Sequence, residues 1–363
     1  IILPLLFVSG SWHGVCALLS ASPIAFAVVK MAKDAQPGLS MTNHQSPASE
    51  KPNARPLLFI GGMNRSGTSL MRQLLGSHSQ IALPPTEFGF FEQIRDVERS
   101  FATKEEFRLE VSRVLSLDKV AKWGLEEEDI FSGDWALDLS YRGLFSLILD
   151  RYAEKLGRRW AGDKTTHYED KIDILDNWFD AQYHFIHVVR NPVDTFASQK
   201  WYLNKLRNVD ARRWSHTWVA SVRAGITHAL SNRPYTIIRY EDLIHDSEST
   251  LHSLCRFLDV DLELDRMLSM NSFEDKDNTS FPEARRSGLY RGHIRKKDGV
   301  RRTDSLSARE RHIVERECAE IADLICYDFD NDHSKSIAAL TSTGYAVRRF
   351  ITAAASKSWN RQT

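Results

Sequence analysis

The chain has 363 residues, of which 42% are hydrophobic and 26% are charged, and its 48 basic residues balance its 48 acidic ones. This composition excludes a highly charged disordered chain and a collagen-like repeat, and the length allows about two domains or one large α/β domain with insertions. A formal net charge of zero argues against a general nucleic-acid coat protein. The four cysteines form no CxxC pair, so neither a disulfide-built fold nor a cysteine metal site is expected.

The first 56 residues are predicted to precede the folded domain. Residues 1–29 are apolar but interrupted by polar residues, so they contain no uninterrupted apolar stretch of about 20 residues. Three interpretations stay open: a membrane anchor, a signal peptide ending at residues 25–27, or an over-extended translation starting upstream of Met31 or Met41. A cytoplasmic location is favoured, whereas a genuine anchor would make the protein membrane-attached or Golgi-type lumenal. Residues 32–56 are typical of an exposed linker.

Residues 57–60 form a short apolar run that predicts a buried strand, and a glycine-rich turn and an apolar helical pattern follow it. A strand, a glycine loop and a helix in this order aim backbone N–H groups and a positive helix end at a phosphate. Gly62 and Gly67 are five positions apart, as in a Walker A loop, but Thr68 stands where that loop has its lysine. The cation of this loop is instead Arg65.

Two later segments carry the same kind of signal. Residues 183–189 predict a strand that ends at Arg190, and Pro192 suits the opening of a helix that carries Ser198 in its first or second turn. Ligands of open α/β sheets collect at the carboxyl ends of the strands, so Arg190 and Ser198 could converge on one phosphate group. A further strand is predicted at residues 235–238, followed by Tyr240-Glu-Asp-Leu and a helix over 249–258.

The three segments, in this order, resemble the motifs of the sulfotransferases that use 3′-phosphoadenosine 5′-phosphosulfate (PAPS). The closest variety has Arg in the loop, as in tyrosylprotein sulfotransferases and their bacterial relatives. The resemblance implies a P-loop-like three-layer α/β/α core with a central parallel sheet, spanning residues 57–330, and sulfuryl transfer from PAPS to a hydroxyl acceptor. It implies that PAPS is bound by Arg65, Ser66, Gly67, Thr68, Ser69, Arg190, Ser198 and Tyr240.

One departure concerns the residues after Arg190. Many relatives have Asp and a second basic residue where this chain has Asn191 and Val193. The grip on the 3′-phosphate would then be weaker, or Lys200 would supply the missing charge.

The same resemblance implies three catalytic residues: Glu87 as general base on the acceptor side, Lys164, which would reach the transferred sulfuryl group, and Arg65, which with Lys164 would stabilise charge on the sulfuryl and leaving oxygens. The aromatic neighbours of Glu87 are expected to raise its pKa by desolvation, toward the range suited to accepting a hydroxyl proton. A surface glutamate and a solvated lysine are the alternatives. Glu92 and His167 are the rival bases, whereas His187, within a predicted strand, is expected to be a packed structural residue.

Eight basic residues between 285 and 302 predict a lid over the nucleotide or over an acidic acceptor, with a solvated loop as the alternative. Residues 307–327 predict an amphipathic helix with a capping box made by Ser307 and Glu310. The tail over 331–363 receives no role. No metal is expected, because arginine and lysine would neutralise the charge that Mg²⁺ neutralises in kinases.

Two other functions stay possible from the sequence: a P-loop nucleotide kinase and a non-catalytic nucleotide-binding module. The missing Walker lysine and the lack of a clear acidic strand end for Mg²⁺ argue against the kinase. The acceptor is left open among a tyrosyl peptide, a carbohydrate, a lipid and a small alcohol, with specificity expected in residues 88–160. No nucleic-acid partner is expected, membrane association could involve only residues 1–29, and the oligomeric state is open.

Overall fold

The computed structural model describes residues 55–132, 138–203, 209–231, 233–269, 302–327 and 329. All of them belong to one compact unit, Pro52–Thr363. The apolar segment 1–29, nearly all of the linker, the basic stretch up to residue 301 and the tail over 331–363 lie outside these residues. Within the described ranges, no helix has both the length and the apolar character needed to cross a bilayer.

A five-stranded sheet with the order β2-β3-β1-β4-β5 forms the centre of the fold, and all its strand pairs are parallel. The strands are β1 (Leu57–Gly61), β2 (Ile81–Ala82), β3 (Trp160–Lys164), β4 (His184–Val189) and β5 (Tyr235–Arg239). The register places Leu58 of β1 between Gly162 and His184 of its two neighbours. The strands predicted over residues 57–60, 183–189 and 235–238 are therefore confirmed, and so is their parallel arrangement.

Helices cover both faces of the sheet, as the predicted three-layer core requires. Leu58 and Ile60 pack into one apolar cluster and Phe59 into another, because successive side chains of a strand point to opposite faces. The helices are α1 (Thr68–Gly76), α2 (Phe90–Gln93), α3 (Lys104–Leu115), α4 (Glu127–Phe131), α5 (Tyr141–Lys155), α6 (Ile172–Phe179), α7 (Pro192–Leu203), α8 (Ala211–Leu230), α9 (Tyr240–His245), α10 (Ser247–Phe257), α11 (Leu264–Ser269) and α12 (Ala308–Leu324).

The helix ends follow the sequence signals with small shifts. Helix α7 begins at Pro192 as predicted, and Ser307 and Glu310 form the predicted capping box of α12. Helix α10 begins two residues before the predicted start, because the side chain of Asp246 accepts a hydrogen bond from the N–H of Ser249 and caps it. Helix α2, which begins at Phe90, is a single turn.

The parallel strands bring the predicted site residues to one edge of the sheet. Their carboxyl ends all lie on that edge, so the segments that leave β1, β3, β4 and β5 meet there. These segments carry the glycine loop with Arg65, the residues after Lys164, Arg190, and Tyr240.

Candidate active site

The glycine loop between β1 and α1 is held in a conformation that requires its glycines. Gly62 and Gly67 have φ angles of 131° and 105°, in the region that L-residues avoid. A Cβ atom would lie 2.2 Å from the carbonyl oxygen of Val188 at Gly62, and 2.3 Å from the ring of Tyr240 at Gly67. The loop therefore packs directly against the end of β4 and against Tyr240.

Arg65 also has a positive φ, of 73°, although it is not glycine. A non-glycine residue in this region is strained by about 1–3 kcal/mol and persists only where its surroundings fix it. Here the strained backbone directs the side chain towards α7, where Nε of Arg65 donates to Oγ of Ser198 over 3.3 Å. Its guanidinium also lies 5.0 Å from the centre of the Tyr202 ring.

Arg190, at the end of β4, completes this cluster. Its Nη1 donates to the carbonyl oxygen of Arg65 over 3.4 Å, and its guanidinium lies 4.5 Å from the centre of the Tyr240 ring. The structure thus brings together four of the residues predicted to bind a phosphate-bearing donor: Arg65, Arg190, Ser198 and Tyr240. The other four lie in the glycine loop or the first turn of α1: Ser66, Gly67, Thr68 and Ser69.

Two polar atoms in this region are buried without a hydrogen-bond partner in the described part of the chain. They are Oγ of Ser66 and Nε of Arg190. A buried polar atom left in this state costs about 1–3 kcal/mol, and anions bound at these two positions would supply the missing hydrogen-bond acceptors. This arrangement fits the phosphate groups of a nucleotide.

Lys164 connects the glycine loop to the predicted base. Its ammonium lies 2.5 Å from Oε1 of Glu87 and donates to Oγ of Ser69 over 3.3 Å. The side chain of Lys164 is only 2% exposed, whereas that of Glu87 is 23% exposed. The second oxygen of Glu87, Oε2, lies 3.6 Å from the half-exposed ammonium of Lys119. Glu87 and Lys164 are therefore in direct contact, and Lys119 is a neighbour that the sequence did not indicate.

The expectation that the pKa of Glu87 is raised is wrong. Burial does raise it, but the ammonium of Lys164 lowers it by its charge and by its hydrogen bond, and Lys119 and Arg72 lower it further. The net pKa is below the usual range of a glutamate. Burial lowers the pKa of Lys164, with a further contribution from Arg72, and the carboxylate of Glu87 opposes both. Glu87 is thus ionised at neutral pH and can accept a proton.

A second carboxylate that sequence reasoning missed, Glu169, lies beneath the glycine loop. It is buried and accepts hydrogen bonds from the N–H of Gly62 over 2.7 Å and from Oγ of Ser221 over 2.6 Å. Nothing in the residue pattern marks Glu169, because one of its partners is a backbone group.

His187 is a packed residue, as predicted. It is buried in β4, with Nδ1 2.9 Å from the hydroxyl of Tyr235 and Nε2 3.3 Å from that of Ser221. Burial lowers its pKa, so the ring is neutral at pH 7. The rival base Glu92 is exposed on α2, and His167 is 31% exposed, with Nε2 3.4 Å from Nδ2 of Asn64.

Lys200 binds helix α12. Its ammonium donates to both carboxylate oxygens of Glu310, over 2.7 and 2.9 Å, and so ties α7 to α12. Its charge is therefore compensated by Glu310. Across the described ranges, no group of three or more His, Cys, Asp or Glu side chains is arranged to hold a metal ion.

The chain was compared with solved structures, with curated proteins and with family models. Three solved structures are similar to the chain: the sulfotransferase domain of the Synechococcus PCC 7002 olefin synthase, the sulfotransferase domain from the curacin biosynthetic pathway, and sulfotransferase STF9 from Mycobacterium avium. Their identities are 18%, 20% and 13%, and their TM-scores are 0.47, 0.44 and 0.45. The matches cover 81%, 76% and 86% of this chain, and 100%, 98% and 90% of the other chains.

No curated protein matches at a significant level. The model of the sulfotransferase family matches residues 56–264, which is more than half of the 363 residues. The chain belongs to the sulfotransferase family.

Proposed function

We propose that this sulfotransferase takes the sulfuryl group from PAPS and transfers it in line to a hydroxyl acceptor, with Glu87 as general base. The observation that supports PAPS most directly is the pair of buried, unpartnered polar atoms, Oγ of Ser66 and Nε of Arg190, beside the glycine loop. Membership of the family argues against the nucleotide-kinase alternative.

The donor would be held by two groups of residues. Arg65 and the N–H groups of residues 66–69 would bind the 5′-phosphosulfate at the start of α1, where the helix end favours an anion. Arg190 and Ser198 would bind the 3′-phosphate, since the planar guanidinium suits two parallel hydrogen bonds to phosphate. PAPS supplies the sulfuryl group, and adenosine 3′,5′-bisphosphate is the leaving group.

The acceptor step is assigned to Glu87 and Lys164. Oε1 of Glu87 already accepts from Lys164, so Oε2 is the oxygen that takes the proton of the acceptor hydroxyl. The O–H bond of the acceptor breaks and its oxygen bonds to sulfur, while the bond from sulfur to the leaving phosphate oxygen breaks. Lys164, in contact with both Glu87 and Ser69, stabilises the negative charge that develops on the sulfuryl oxygens.

A transfer screen tests the activity. The full chain is incubated with ³⁵S-labelled PAPS and a tyrosyl peptide, a carbohydrate, a lipid and a small alcohol, with the Glu87→Gln protein as a matched blank. We expect label in one of the four acceptor classes and at least about 100-fold slower labelling with the blank. ATP-dependent phosphorylation of an acceptor would support the kinase, and PAPS binding without any turnover would support a non-catalytic module.

A binding experiment tests the donor assignment separately. Adenosine 3′,5′-bisphosphate should raise the melting temperature more than 5′-AMP does, because a ligand that binds only the folded state stabilises it. Arg190→Ala and Ser198→Ala should remove the difference between the two nucleotides. Lys200→Ala should retain it, because that ammonium binds Glu310. Equal stabilisation by 5′-AMP in the unsubstituted protein would contradict the 3′-phosphate assignment.

A further inference from the structure

Asp163, the residue before Lys164 in β3, is a buried carboxylate to which the proposed mechanism gives no role. Its exposed fraction is 0%. Oδ1 accepts a hydrogen bond from the N–H of Phe88 over 3.1 Å. Oδ2 accepts from the hydroxyl of Tyr168 over 2.5 Å and from that of Thr165 over 2.8 Å. One of its three donors is therefore the backbone of the residue that follows Glu87.

Thr165 makes the next contact of the same kind. Its Oγ1 accepts a hydrogen bond from the N–H of Gly89 over 3.2 Å. Three consecutive residues at the end of β3 thus hold three consecutive residues of the base loop: Asp163 binds Phe88, Lys164 binds Glu87, and Thr165 binds Gly89.

The environment keeps Asp163 in place. Burial raises the pKa of its carboxyl group, and the hydrogen bonds from Tyr168, Thr165 and Phe88 oppose that effect. A buried charge is costly unless hydrogen bonds compensate it, so packing alone would favour an apolar side chain here. The ring of Phe88 stacks on Phe145 of α5, with centroids 5.3 Å apart, so the loop is clamped from its other side as well.

We propose that Asp163, together with Thr165, is a positioning residue that fixes the carboxylate of Glu87 relative to the glycine loop between β1 and α1. The inference rests on the proposed function, because it takes Glu87 to be the base. The physical reason is that β3 is hydrogen-bonded to β1, from which the glycine loop emerges. The hydrogen bonds from the N–H groups of Phe88 and Gly89 therefore attach the segment that carries Glu87 to the same sheet from which the glycine loop emerges. A displacement of about 1 Å in such an arrangement can cost about 100-fold in rate.

Four single substitutions separate positioning from general stability. Asp163→Ala removes the acceptor for Phe88, and Thr165→Val removes the acceptor for Gly89 with little change in shape. Asp163→Asn keeps an oxygen for Phe88 and should recover part of the activity that the alanine loses. Tyr168→Phe is the matched control, because it removes a hydrogen bond to Asp163 and leaves both bonds to the base loop in place.

The readouts are the kcat of sulfuryl transfer, the affinity for adenosine 3′,5′-bisphosphate, and the melting temperature. Asp163→Ala should lower kcat roughly 30- to 100-fold. Thr165→Val should lower it about tenfold, the equivalent of one net hydrogen bond. Both variants should bind adenosine 3′,5′-bisphosphate with an affinity within about threefold of the wild-type value. Tyr168→Phe should lower only the melting temperature. Equal losses of kcat in all these variants would overturn the proposal.

A double-mutant cycle gives the decisive comparison. In a Glu87→Gln background the base is already lost, so Asp163→Ala and Thr165→Val should lower the residual rate by less than about twofold. If the two substitutions lower the rate by the same factor with Glu87 and with Gln at position 87, they act on the whole site, and the proposal is overturned. If Asp163→Ala does not fold, the cycle of Thr165 with Glu87 decides alone. An unsubstituted protein without transfer activity would overturn the proposed function, and the positioning role with it, before any variant is compared.

Discussion

Replacing Glu87 by glutamine tests the assignment of the base with little disturbance of the structure. The glutamine keeps the shape of the side chain and an oxygen at the position from which Oε1 accepts the hydrogen bond of Lys164, at 2.5 Å. It cannot accept the acceptor proton. General base catalysis contributes about 10²- to 10⁴-fold, so the barrier should rise by about 3–5 kcal/mol. The folded state should lose about 1–3 kcal/mol, because the buried ammonium of Lys164 loses its countercharge.

The assay measures kcat for ³⁵S transfer together with the affinity for adenosine 3′,5′-bisphosphate. Glu92→Gln is the matched control, because Glu92 is an exposed carboxylate five residues further along the same segment. We expect Glu87→Gln to lose at least 100-fold in kcat with nearly unchanged nucleotide affinity, and Glu92→Gln to retain the wild-type rate. Full turnover by Glu87→Gln would refute the reasoning and leave Glu92 and His167 as the candidate bases.

Substitutions at three further positions test the glycine loop and the charge next to Glu87. Arg65→Ala should lower turnover by about two to four decades, since it removes a bidentate pair of charged hydrogen bonds that contribute about 1.5–3 kcal/mol each. Arg65→Lys should recover only part of this loss, because lysine keeps the charge but not the planar fork. An Arg65→Ala rate within about threefold of the wild-type rate would contradict this assignment of Arg65. Gly67→Ala should weaken bisphosphate binding about tenfold by calorimetry, since it forces a strained backbone at a φ of 105° and a Cβ 2.3 Å from Tyr240. Unchanged affinity would argue against this geometry. Lys119→Ala should move the acidic limb of the pH profile of kcat/KM to higher pH. Lys119 lowers the pKa of Glu87, so its removal should raise that pKa, and Glu87 is active as a base only when deprotonated. An unshifted limb would exclude Glu87 as the titrating group.

The residues that follow strands were predictable, because local patterns determine them. The apolar run 57–60 and the two glycines after it are sufficient to indicate a strand and a tight loop. Once the strands are parallel, Arg65, Arg190 and Tyr240 must share one edge of the sheet, whatever the details of packing. For this part of the site, the order of the motifs along the chain already contains the three-dimensional arrangement.

The electrostatics of the acceptor side were not predictable in the same way. The apolar neighbours of Glu87 suggested a raised pKa, and burial does raise it, but the contact with Lys164 lowers it through charge and a hydrogen bond. Lys119, which comes from a region without a recognisable motif, lowers it further. Asp163 and Glu169 escaped notice for a related reason. They hold backbone N–H groups 75 and 107 residues away, and no residue type marks a backbone donor in a sequence.

The absent Walker lysine has a structural counterpart in Lys164. A Walker loop supplies its cation from its own chain segment, at the position where this chain has the buried Thr68. Here the ammonium of Lys164 enters from the neighbouring strand β3 and reaches Ser69 at the start of α1. The same ammonium contacts Glu87, so one charge lies against both the glycine loop and the proposed base. A lysine within the loop would move with the loop alone, whereas a lysine on β3 places its charge in contact with the proposed base as well. This difference suits a reaction in which proton removal from the acceptor and charge development on the donor occur side by side.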